Sequence, residues 1–161
     1  MDIGFRPIER HFVRIEPLMP QHKEEIRAAI DCDPASWSIM LVNPVGLGFE
    51  EYWSASCGAP RTERLPYAIR RLSDGQVVGT STYFMASAKH GGVEIGATFL
   101  RPGVRASAVN PEAKILMLGH AFDSGARREH GPDMSATPWS SQSSIANGRP
   151  SGFGWSNALQ S

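Results

Sequence analysis

Apolar positions alternate with polar ones in several short runs of this chain and recur at helical spacing in others, and the change of period marks out the elements. His11 to Glu16 alternate, with Val13 and Ile15 on one face, which predicts a first strand. Pro20 opens a polar helix running to Ile30, in which Ile26, Ala29 and Ile30 make a narrow apolar stripe. From Asp31 to Pro60 the pattern is irregular, apart from Phe49–Ser56, which suits a short helix with Tyr52 and Trp53 turned inward. The clearest signal is a hairpin. Tyr67–Leu72 and Gln76–Met85 flank Ser73-Asp74-Gly75, and Asp-Gly supplies the positive φ that a tight reversal requires. A second turn at His90-Gly91-Gly92 leads into Val93–Leu100, so three consecutive antiparallel strands are expected. A helix over Pro111–Ser124 follows, with Ala113, Ile115, Leu116, Leu118 and Phe122 in helical spacing and Gly125 as its C-cap. Strands, then a helix after the longest central strand, predict an α+β or mixed-sheet domain.

The periodicity stops after about Arg128. The 33 residues from Glu129 to Ser161 hold eight Ser, four Gly and three Pro but no Val or Lys, a tail by composition. The expected layout is therefore a domain over 1–128 and a Ser/Gly/Pro-rich, disordered segment over 129–161. A chain of 161 residues with 41% hydrophobic residues suffices for one core. Lys+Arg and Asp+Glu number 16 each, so nothing draws the chain electrostatically to nucleic acid or an anionic membrane. No apolar run approaches the roughly 20 residues of a spanning helix, and Met1–Arg10 lacks the apolar core of a signal peptide, so a cytoplasmic protein is expected. Cys32 and Cys57 read as free thiols, and the five scattered histidines offer no metal-ligand spacing.

The stretch from Ile95 to Phe122 carries the chemistry. A strand (Ile95–Leu100), a turn (Arg101–Val104), a tight loop (Arg105–Asn110) and a helix opening with Asn110-Pro111 place free backbone N–H groups at a helix N-terminus beside a cation. That arrangement holds phosphate or pyrophosphate, and it points to a nucleotide-type cofactor. Gly46-Leu47-Gly48 lacks the rest of a dinucleotide fingerprint, and no G-x-S-x-G elbow is present.

Arg105-Ala106-Ser107-Ala108-Val109-Asn110-Pro111-Glu112-Ala113-Lys114, with the Leu-rich helix ending His120-Ala121-Phe122, resembles the acetyl-CoA-binding motif of the GNAT N-acetyltransferases. Glu94-Ile95-Gly96-Ala97-Thr98-Phe99-Leu100 is similar to the central strand of the branch that includes the ribosomal-protein alanine acetyltransferases, and Asp74–Thr80 to its preceding hairpin. The resemblance covers Arg10 to Arg128. It implies the GNAT fold, a central, mostly antiparallel sheet flanked by helices, with its C-terminal part missing, and transfer of acetyl from acetyl-CoA to a primary amine on a protein N-terminus or a small molecule. The pyrophosphate would lie on the N–H groups of Arg105, Ala106, Ser107, Ala108, Val109 and Asn110, with Arg105 near its charge. The pantetheine arm would pair with the backbone of Phe99 and Leu100 like an added strand. Glu94 would take the ammonium proton through water, and an N–H of the same strand would stabilise the oxyanion. Against these stand plainer readings: Glu94 as a strand-edge carboxylate, Arg105 as a solvated turn residue, Asn110 as a helix cap, His120 as packing, and Tyr52, Trp53 and Tyr83 as core.

Two departures from the family pattern bear on activity. Its loop is glycine-rich, whereas the residues after Arg105 are Ala, Ser, Ala, Val and Asn, which suit such a loop only at negative φ. The strand, helix and closing hairpin that should follow are not legible in Glu129–Ser161. If Ser140, Ser141, Ser143, Ser144, Ser151 and Ser156 use TCN codons, a shifted frame has T in the middle position, which encodes only hydrophobic residues. Back-translation in that frame permits a strand resembling the family's closing strand, so a deletion or frameshift after about Arg128 is expected. The competing expectation is a catalytically inactive remnant that binds CoA weakly or not at all. Its unpaired strand edge would invite dimerisation with a second copy.

Overall fold

The computed structural model describes residues 2–38, 40, 42–87 and 92–126, the side chains of residues 86 and 87 excepted. The tail, its boundary at Arg128 and the turn at His90-Gly91 lie outside these residues. Five strands, β1 (Ile8–Glu9), β2 (Val13–Pro17), β3 (Arg64–Arg71), β4 (Val77–Ser87) and β5 (Gly92–Leu100), form one antiparallel sheet in chain order. Between β2 and β3 lie α1 (Lys23–Asp31), a one-turn α2 (Pro34–Trp37) and α3 (Phe49–Gly58), and α4 (Val109–Asp123) follows β5. The expected hairpin forms, with Gly75 at φ 70° in its turn. The first strand starts two residues later than expected, at Val13, because Arg10 N–H donates to the Val13 carbonyl in the turn from β1.

Each face of the sheet carries its own core. Val13, Ile15, Tyr67, Ile69, Tyr83 and Leu100 pack with Val109, Ala113, Met117 and Ala121 of α4. On the other side Ile26, Ala29 and Ile30 of α1, Phe49 and Trp53 of α3, and Leu18, Ala68, Val77 and Phe99 form a second cluster. The α1 stripe is the one its periodicity predicts. That of α4 is not: Ala113 is buried, but Ile115, Leu118 and Phe122 are exposed, and Met117, Ala121, Glu112 and His120 face inward. The helix is apolar around most of its circumference, so periodicity alone does not select the buried side.

Two polar groups tie this framework together. The buried Glu112 carboxylate accepts the N–H groups of Phe12 (2.6 Å) and Val13 (3.1 Å), joining α4 to the start of β2. On the opposite face Arg70 reaches Glu16 (2.9 Å) and Glu25 (3.1 Å), while His22, whose Nδ1 accepts the Met19 N–H, turns its protonated Nε2 to Glu16 at 2.9 Å. Burial pushes the Glu16 carboxyl up, but Arg70 and His22 together outweigh it and hold the group below its ordinary value. Gly79 lets β5 approach β4: a Cβ there would stand 2.0 Å from the Phe99 carbonyl oxygen.

Candidate functional site

Among the described residues β5 is one edge of the sheet, and it is not regular. Thr80 pairs with Phe99 and Thr82 with Gly96, so Ser81 alone opposes both Ala97 and Thr98. This bulge twists the edge strand and puts Ala97 at φ 46°, a left-handed conformation that costs a residue with a Cβ about 1–2 kcal/mol. Side chains on the α4 side hold it. Ser81 Oγ and Thr98 Oγ1 are 2.8 Å apart, and Lys114 Nζ donates to both. Burial lowers the pKa of that amine from its ordinary value. Nothing in the sequence pattern singled out Lys114 for this role, because its partners lie on two other elements.

Beside the bulge opens a cleft of about 580 Å³. One wall is β5 from Ala97 to Leu100; facing it are Trp37 of α2, Tyr52 of α3, and Met40 and Val42 between them. The expectation that Tyr52 packs inward holds in part, since it lines the cleft, while Trp53 is buried in the core. Trp37 packs against Phe99 with ring centroids 4.9 Å apart and against Tyr52 at 6.2 Å. Tyr83 lies in the core, its hydroxyl donating to the Met117 carbonyl at 2.6 Å.

Glu94 lies across from Phe84 on β5, so it shares the face on which Phe99 meets Trp37. The side chain is exposed, and its Oε1 comes within 3.3 Å of where a Cβ on Gly96 would stand. A glycine there lets the carboxylate fold back along the strand toward the bulge. Of the two residues expected to pair with pantetheine, Phe99 turns its carbonyl to Gly79, and Leu100 presents its carbonyl to Arg105 Nε at 3.0 Å.

Arg105, the first residue of the loop to Asn110, closes the end of the cleft. Arg105 is an exposed turn residue, as the plainer reading has it, but its guanidinium also meets Asp33 at 2.6 Å and Ser36 at 3.3 Å. The Ser36 hydroxyl and then Arg105 hold the Asp33 carboxyl below its ordinary value. Ala106 has φ 56°, contrary to the expectation of negative φ, so the chain makes the loop's left-handed step without glycine. Replacing Ala106 by glycine is expected to raise stability by about 1 kcal/mol, read as an upward shift of the denaturant midpoint at constant m-value. The helix starts at Val109, one residue before Asn110, and its N-cap is Ala108. Ser107 Oγ accepts the Val109 N–H at 3.3 Å, which takes over the capping expected of Asn110. Among the described residues the N–H groups of Ala106, Ser107 and Ala108 find no acceptor; Ser107 and Ala108 line a separate hollow of about 390 Å³ with His11, Phe12 and Arg71.

Comparison with solved structures finds a GCN5-related N-acetyltransferase from Brucella melitensis at TM-score 0.68 and 24% identity, over 78% of this chain and 58% of that one. The fold is that of the GNAT acetyltransferases. Two further GNAT-like neighbours extend the comparison. The microcin C7 self-immunity acetyltransferase, solved in complex with acetyl-CoA and AMP, aligns at TM-score 0.63 and 14% identity over 78% of this chain and 72% of its own. A Salmonella typhimurium enzyme that modifies the N-terminal serine of a 50S ribosomal subunit protein aligns at TM-score 0.62 and 11% identity, covering 74% and 69%. At these identities the likeness is one of fold, and the chain spans about three fifths of the Brucella GNAT structure, 58% of it. No family model and no curated protein matches the sequence. The sheet flanked by helices, expected from the resemblance, is thus the observed GNAT architecture. Among the described residues no helix is long and apolar enough to cross a membrane.

Proposed function

We propose that residues 1–128 form an acetyl-CoA-dependent N-acetyltransferase domain acting on a primary amine. The observation that supports this most is the succession, in a GNAT fold, of a bulged edge strand beside a cleft and then a loop of unpaired N–H donors leading into α4. The residues fit the co-substrate: the donors of Ala106 to Ala108 and the N-terminus of α4 suit a pyrophosphate, and the open edge at Leu100 suits a pantetheine amide once Arg105 releases its carbonyl. Acetyl-CoA would supply an activated thioester carbonyl. Attack on it needs a neutral amine, and Glu94 would accept the ammonium proton, directly or through one water. An N–H of β5 near the bulge would hold the developing oxyanion. The acceptor is an amine on a protein N-terminus or a small molecule, in keeping with the neighbour that modifies an N-terminal serine.

A second reading, an inactive remnant, has one observation in its favour: the loop cation is already neutralised by Asp33 and its neighbours. Release of CoA thiol from acetyl-CoA, measured with and without a primary amine, separates the two. Amine-dependent release is expected of the enzyme, and its absence despite acetyl-CoA binding favours the remnant. The ribosomal-protein branch and a frameshift after about Arg128 belong to the same proposal. Sequencing the gene from the Ala126 codon onward tests the latter: TCN codons at Ser140, Ser141, Ser143 and Ser144 are expected, and AGY codons there overturn it.

A further inference from the structure

Resting on the acetyltransferase reading, we infer that the cleft takes a primary amine carrying an aromatic or branched aliphatic group in preference to a polyamine. The wall opposite β5 is apolar, made by Trp37, Tyr52, Met40 and Val42, with Phe99 closing the floor. Met40 and Val42 are each 57% exposed, so this wall offers apolar area that a ligand would take from water. The charge pattern points the same way. Among the described residues no carboxylate lines the cleft, and the charged residue that does is Arg105, paired with Asp33. Glu94 reaches back over Gly96 to the residue beside Ala97, so one ammonium finds one carboxylate at the cleft's near end. The second and third ammonium groups of a polyamine would meet apolar side chains instead, and Asp33 at the cleft's end is already taken by Arg105, so each costs desolvation. An aromatic group in the same place stacks on Trp37 and Tyr52.

The test is isothermal titration of the full chain, with CoA present, by phenethylamine and by spermidine, alongside acetyl-CoA consumption with each amine. Phenethylamine is expected to bind about tenfold more tightly, the discrimination an apolar pocket gives. Met40→Asp combined with Val42→Asp, both at exposed positions, is expected to erase that ratio. Spermidine binding as tightly as phenethylamine, or a ratio that survives the double substitution, overturns the inference. Failure of the acetyltransferase reading looks different: phenethylamine still binds selectively, but acetyl-CoA neither binds nor is consumed. If acetyl-CoA is consumed and spermidine is the better acceptor, only the inference about the amine falls.

Discussion

Glu94→Gln is expected to lower kcat for amine acetylation by about 10²–10⁴, the contribution of a positioned general base. Glutamine keeps the size and much of the hydrogen bonding of the carboxylate, so the folded cleft and its cradle of N–H donors persist. Acetyl-CoA affinity is then expected to stay within about twofold, because Glu94 lies on the far side of the bulge from the Arg105–Asn110 loop. The pH dependence carries the mechanistic content. As pH rises toward the pKa of the acceptor amine, the fraction already neutral grows about tenfold per unit, and less is gained from an enzymic base. The defect of the variant should therefore shrink with rising pH. A full-rate variant, or a defect independent of pH, would make Glu94 a strand-edge carboxylate with no part in proton transfer.

Glu112→Ala is expected to destabilise the domain by about 3–5 kcal/mol, a large share of the total stability of a domain this size. The reason is the pair of backbone donors it satisfies. Removing the carboxylate strands the N–H groups of Phe12 and Val13, the second of them buried, where water cannot replace the acceptor. The α4 helix would lose its link to the start of β2, and with it the anchor that sets the height of the loop before α4. Glu112→Gln keeps an acceptor oxygen and should cost less than half as much. Urea unfolding of the two variants measures the difference, and equal losses would mean that Glu112 acts by packing or charge.

Much of the sheet and its hairpin was legible because its signals are local: Asp74-Gly75 demands a reversal, and Val13 and Ile15 alternate within one strand. The three-residue stripe of α1 was legible for the same reason. What escaped depends on distant partners. The short α2 offers a single turn, too little for any period, yet it brings Trp37 to the cleft and Ser36 to Arg105. Two left-handed residues, Ala97 and Ala106, carry no glycine to announce them. They are held by the bulge and by the loop's packing into α4. The position of Arg105 was anticipated, but its grip on Leu100 and Asp33 was not, since those partners come from separate parts of the chain. The candidate site was thus readable as a strand, loop and helix, while the apolar wall opposite β5 emerged only from the folded contacts.

The measurement closest to the central claim is unfolding of the full chain with and without acetyl-CoA. A ligand at a hundred times its dissociation constant adds about 2.7 kcal/mol to the stability of the state that binds it. The account predicts a rise of that order as acetyl-CoA saturates, reduced by substitution of Arg105 and absent with acetate at equal concentration. No change at millimolar acetyl-CoA, in a chain that unfolds cooperatively without it, would contradict the account.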